Sequence, residues 1–206
     1  ISERSTSLSK RALDIGADGI IVPWMEKVEE VEEAVRDCRY PPEGRRGIGG
    51  ERATVWGQCL NEHANEANEN VLVIPLIESI NAVPNVANMC KVDGIDMFFF
   101  GPADFSASAG YRGQWEGPGV AEQILELKDI INSAGKHCGV MSTSVQNLTE
   151  RRDQGFRMLA LGPDSGLLMR SMHQSLQAVD CDRLPATSLD PTDGKPVSKS
   201  DTKIKK

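Results

Sequence analysis

GIDMFFFGPADFSASAG, the stretch Gly94–Gly110, opens with an apolar run of strand length, Ile95-Asp96-Met97-Phe98-Phe99-Phe100, rich in the aromatic residues that fill buried strands. The run halts at Gly101-Pro102, a turn signal. Asp104 follows at the start of a helical turn that carries Ala103, Ser106, Ala107 and Ser108. A carboxylate just past a buried strand can hold a hard cation, and the free N–H groups of a helix start can hold an anion. Taken alone, the stretch reads first as a plain helix cap at Asp104.

A second run changes that balance. Val71-Leu72-Val73-Ile74-Pro75-Leu76-Ile77-Glu78 is also apolar and also ends in an acid. Two buried strands that each deliver a carboxylate at the C-terminal end are what a divalent-metal site in a parallel α/β fold requires. The pair moves Asp104 from cap to candidate ligand, with Glu78 as its counterpart.

Around these two strands the chain alternates. Ser5–Ile15 has helical spacing, with Leu8, Ala12, Leu13 and Ile15 on one face and Gly16 as a stop. Gly19–Pro23 is a short buried strand, and a helix from about Lys27 to Arg39 carries Val28, Val31, Ala34 and Val35 on its inner face. Tyr40–Gly50 is a loop full of breakers. Its Arg45 and Arg46 read as a surface pair able to meet an anion, and its glycines lack the spacing of a phosphate cradle. A polar helix from about Val55 to Asn68 carries His63, which reads as a surface residue. Beyond Glu78 come a short helix near Ala82–Met89, the central stretch, and a long helix from about Val120 to Ala134. A strand His137–Met141, a helix Val145–Gln154, a strand Arg157–Leu161 and a helix Ser165–Val179 complete the order. Asp164 reads as a helix cap. Strict alternation in units of this length predicts a parallel sheet covered by helices. A (β/α)₈ TIM barrel takes roughly 250 residues, and about five of its strands are present here.

Composition bounds the class. With 206 residues, 39% of them hydrophobic, the chain is long enough for one sizeable core. A net charge of −7 without a basic face argues against nucleic acid as a partner. No apolar run approaches the ~20 residues of a membrane helix, and the first residues do not form a signal peptide. Cys38, Cys59, Cys90, Cys138 and Cys181 show no paired spacing, as expected of reduced thiols in a cytoplasmic protein. His63, His137 and His173 lack the spacing of a zinc site. The expected layout is a single α/β unit over residues 1–180, followed by a disordered polar tail over 181–206.

Several segments resemble the HpcH/HpaI family of metal-dependent (class II) pyruvate aldolases, which includes macrophomate synthase. They are Ala12-Leu13-Asp14-Ile15-Gly16-Ala17, Ile21-Val22-Pro23, Arg39-Tyr40-Pro41-Pro42 with Gly44-Arg45-Arg46-Gly47, Ile77-Glu78, and above all Gly101-Pro102-Ala103-Asp104-Phe105-Ser106. The resemblance runs from about residue 8 to 179. It implies a TIM barrel of the phosphoenolpyruvate/pyruvate type, here without its N-terminal strands, and a lyase that cleaves or forms a carbon–carbon bond through a pyruvate enolate. Glu78 and Asp104 would bind Mg²⁺, Mn²⁺ or Co²⁺. Backbone N–H groups of Gly101, Ala103 and Asp104 would face the carboxylate of a 2-oxo acid, an aldehyde being the second substrate. Asp14 would match the acid that pairs with the family's catalytic histidine, and Ser165–Val179 would join subunits into a homo-oligomer, a hexamer by resemblance.

Two departures qualify this. Leu76 stands where the family usually has Gln, and the family's His base and Arg clamp fall on strands earlier than Ile1. Two alternatives therefore stay open: oxaloacetate decarboxylation with enolate capture, and a non-catalytic metal- or carboxylate-binding domain.

Overall fold

The computed structural model describes residues 1–181. Five strands form one parallel sheet: β1 (Gly19–Val22), β2 (Leu72–Ile77), β3 (Met97–Phe100), β4 (His137–Met141) and β5 (Met158–Ala160). Their spatial order is their sequence order. Each connection therefore steps one strand further in the same direction, and right-handed crossovers place the helices on one face. These are α1 (Thr6–Asp14), α2 (Val28–Cys38), α3 (Leu60–Asn70), α4 (Val86–Met89), α5 (Pro102–Ser108), α6 (Val120–Ser133), α7 (Val145–Asp153) and α8 (Asp164–Gln177). The arrangement is a sector of a (β/α)₈ barrel, as the alternation predicts.

Strand alternation sorts the side chains. Ile20 and Val22, Val73 and Ile77, Phe98 and Phe100, and Cys138 and Val140 join the helices in one core, with Leu13, Val31, Ile124, Leu127 and Ile131 from the helix side. Ile74 and Phe99, one residue out of phase, are buried outside that cluster, on the opposite face. Gly139 belongs to this second face. A Cβ there would come within 2.6 Å of the Phe99 ring and 2.8 Å of Met158 Cβ, so the glycine is what lets Phe99 lie across β4. Glu78 continues the phase of Ile74 and Leu76, and Gly101 that of Phe99. Both therefore emerge on the face away from the helices, at the C-terminal end of the sheet. Burial drives the thiols of Cys38 and Cys138 up to about 12, which keeps them protonated and unreactive.

Three elements differ from the sequence reading. The polar helix starts at Leu60, not near Val55, because Val55 and Trp56 sit at φ 51° and 53°, left-handed, after a short 3₁₀ turn at Arg52–Thr54. The helix expected from Ala82 begins as a 3₁₀ turn, Ile80–Asn85. Pro84 has no N–H to give an α-helical bond, and α4 proper covers Val86–Met89. The last strand shortens to Met158–Ala160. The reading of a disordered tail lies outside the described residues, apart from Cys181. No helix among the described residues is long and apolar enough to cross a membrane.

Candidate metal centre

Glu78 directly follows β2, and its carboxylate is buried. One oxygen, Oε1, accepts the Trp24 backbone N–H at 2.9 Å. The other, Oε2, accepts no hydrogen bond from any described residue, and it faces Gly101. A Cβ built on Gly101 would stand 3.1 Å from both Glu78 Cβ and Glu78 Oε2. Burial pushes the Glu78 carboxyl above the ordinary carboxylate range. The Trp24 N–H opposes that shift, and the negative charge of Asp104 adds to it. Asp104, the other acid of the expected pair, thus lies close enough for its charge to act on Glu78. Asp104 itself is exposed, in the first turn of α5.

These residues fit a hard divalent cation. Mg²⁺ typically takes one or two carboxylates and keeps several waters, and the pair offers one oxygen free of protein donors, on the largely buried Glu78, plus one exposed carboxylate. Among the described residues no cluster of three or more His, Cys, Asp and Glu side chains occurs, so a site built only from protein ligands, of the zinc kind, is not formed here. The glycine at 101 is integral to this geometry. Gly101→Ala is expected to displace the Glu78 carboxylate and weaken Mn²⁺ binding about tenfold, roughly 1.4 kcal/mol. Calorimetric titration checks this, with circular dichroism showing the fold retained.

The N–H groups sort differently from the expectation. Gly101 N–H donates to Ile77 O at 3.2 Å and is not available to a substrate, so the role assigned to Gly101 is corrected from donor to spacer. Pro102 has no N–H. Ala103 and Asp104, both exposed, occupy the first turn of α5, where backbone N–H groups lack helical acceptors.

Asp14, the last residue of α1, lies in a separate cluster. Arg46 Nη2 donates to its Oδ1 at 3.0 Å, and Lys10, one turn earlier, pairs with Oδ2. Arg46 is 1% exposed, its guanidinium lies 4.5 Å from the Tyr40 ring centroid, and the Tyr40 and His63 rings stand roughly perpendicular with centroids 6.0 Å apart. No contact among the described residues links Asp14 to Glu78 or Asp104. The reading of Arg46 as a surface residue is corrected, since it is buried; His63 is half-buried, and partial burial and the Arg46 charge lower its pKa. Arg45 is the half-exposed member of its pair and bonds Asp37 at 2.6 Å. A dipeptide Arg-Arg carries no signal of which member turns inward. Asp164 is the first residue of α8, its Oδ1 accepting the Ser165 N–H at 2.7 Å, and His173 is buried.

An open hollow of about 340 Å³ beside Ile80, Ala109, Tyr111 and Gly119 includes neither Glu78 nor Asp104. Glu122 and Glu126 on its wall disfavour an anionic keto acid there.

A sequence profile described as HpcH/HpaI aldolase/citrate lyase matches residues 1–171. The chain belongs to the HpcH/HpaI aldolase/citrate lyase family. It is 37% identical over 168 residues to a hydroxypyruvate/pyruvate aldolase of Roseobacter denitrificans, a match that covers 81% of this chain and 65% of that relative. The chain thus spans slightly less than two thirds of that HpcH/HpaI relative's length. Among solved structures it is similar to an HpcH/HpaI family protein from Burkholderia cenocepacia, with a TM-score of 0.80 and 32% identity, covering 87% of this chain and 72% of the other. It is also similar to macrophomate synthase, with a TM-score of 0.72 and 28% identity, covering 86% of this chain and 63% of the other.

Proposed function

We propose that the chain is the part of a divalent-metal-dependent 2-oxo acid aldolase that carries the metal carboxylates, acting on a 2-oxo acid and an aldehyde through a pyruvate enolate. The observation that carries this is the pairing of a buried Glu78, one oxygen held by Trp24 and one free, with the nearby exposed Asp104. Glu78 and Asp104 would hold Mg²⁺, Mn²⁺ or Co²⁺, and such a cation supplies charge stabilisation for a developing enolate. Ala103 and Asp104, in the first turn of α5, would offer their N–H groups to the keto acid's carboxylate. Leu76 and Phe99, in phase with the site on the same face, make the floor apolar and strengthen charge interactions above it. The exposed Leu167, Leu168 and Met172 of α8 support association into a homo-oligomer.

A second reading, a metal- or carboxylate-binding domain without catalysis, is favoured because, among the described residues, no third His, Cys, Asp or Glu joins the pair. The chain's own described residues thus supply no base next to Glu78. Pyruvate–aldehyde condensation and oxaloacetate decay, each followed with Mn²⁺ and with EDTA, separate the readings. EDTA-sensitive condensation supports the aldolase. Loss of oxaloacetate alone points to the decarboxylating branch of the family. Silence in both assays, with Mn²⁺ still bound, leaves the binding domain.

A further inference from the structure

Trp24 is unlike its surroundings. It follows β1 through Pro23, with φ 54°, a left-handed backbone that bulky residues rarely adopt. Its neighbours fix it there. Val22 pairs with Pro75 at the end of the β1–β2 ladder, and Met25, 1% exposed, donates its N–H to Leu76 O at 3.3 Å. The residue is 53% exposed, so burial of its side chain offers little return for the unusual backbone. Trp56, the other tryptophan at positive φ, gives its N–H to the Glu51 carbonyl in an ordinary local turn. The Trp24 N–H instead crosses 54 residues of sequence to a buried carboxylate, Glu78 Oε1, at 2.9 Å.

We infer that Trp24 is a positioning residue. Its left-handed backbone turns the N–H onto Glu78 Oε1, which fixes the carboxylate rotation and leaves Oε2 directed at Gly101 for a cation. The inference rests on the metal reading of Glu78. It also explains why one carboxylate oxygen is held while the other is not: two held oxygens would compete with a cation, and two free ones would let the buried group turn. A residue that readily adopts positive φ should keep this arrangement, and one that resists it should lose it.

The test uses the full chain with Mn²⁺ as probe. Trp24→Gly keeps both the N–H and the conformation, so its affinity should stay within about twofold of the parent and its melting temperature should rise. Trp24→Val resists positive φ and should bind Mn²⁺ about tenfold more weakly. Glu78→Gln is the control: undiminished binding in that variant defeats the metal reading itself. The hydrogen bond is tested separately by ¹⁵N-tryptophan labelling, where the chain's three tryptophans give few signals. The Trp24 amide proton should move upfield in Glu78→Gln without any metal. A stationary amide, or equal affinities for the Gly and Val variants while Glu78→Gln is impaired, overturns the positioning role.

Discussion

Glu78→Gln will weaken Mn²⁺ binding by at least about 30-fold, roughly 2 kcal/mol, and will raise the melting temperature of the chain by a few degrees in EDTA. The opposite signs come from one cause. Without a cation, the carboxylate is buried, holds a single hydrogen bond and feels the charge of Asp104. Each unit of pKa elevation marks a charged form disfavoured by about 1.4 kcal/mol. Glutamine keeps an oxygen for the Trp24 N–H at nearly the same volume and removes the charge. With a cation, the same lack of other partners becomes affinity, because Oε2 gives up no protein hydrogen bond to bind.

The pH dependence follows from the raised pKa. The folded chain holds the Glu78 proton more tightly than the unfolded chain does, so this group's contribution to stability is fully present below the ordinary value of 4.5 and is lost as pH rises through the folded value. Parent and Glu78→Gln should therefore unfold alike at low pH in EDTA and diverge toward neutrality, where the variant is the more stable. Mn²⁺ affinity of the parent should climb over the same window, as the proton leaves the oxygen the metal needs. Thermal unfolding and calorimetry across pH measure both trends. Equal Mn²⁺ affinity in the two proteins would remove Glu78 as a ligand.

That Glu78 and Asp104 each follow a buried strand is legible in the sequence, because the apolar character of each preceding run marks it as buried. The end of such a strand in a parallel sheet is a fixed place. Strand order and the five-strand count came from the same alternation. What was not legible is what depends on local backbone. Nothing in Val22-Pro23-Trp24-Met25 announces that Trp24 turns left-handed, since that conformation is imposed from both sides by Val22 and Met25. The N–H of Gly101 looked available because a glycine at a helix start usually leaves it so. Only the β2–β3 pairing shows it spent on Ile77. Arg46 is hidden for a similar reason. A polar residue in a polar segment reads as surface, and its burial is created by Tyr40 and by Asp14 at the end of α1, far away in sequence.

That last cluster yields the largest expected loss of stability. Asp14→Asn should cost about 3–5 kcal/mol, the range for removing one partner of a buried ion pair, against total stabilities of about 5–15 kcal/mol for ordinary domains. Arg46 has no means of escape. It is 1% exposed, and apart from the Tyr40 ring face its described partner is Asp14. Arg46→Met should cost less, about 1–3 kcal/mol, because Asp14 keeps Lys10 at the edge of the cluster while methionine refills the space over Tyr40. The pair Asp14→Leu with Arg46→Met removes both charges and should recover most of the Asp14→Asn loss, as apolar replacements of buried ion pairs do elsewhere. Urea unfolding of the parent, Asp14→Leu, Arg46→Met and their double closes the cycle and gives the coupling directly. Simple additivity of the single effects would show that the two side chains do not depend on each other. The same set decides the chemical role expected of Asp14 by resemblance. If the double variant refolds to parental stability and binds Mn²⁺ normally yet loses any condensation activity, the acid acts on the reaction. If activity returns with the fold, Asp14 serves by holding Arg46, and through it the loop from Tyr40 to Gly47, in place.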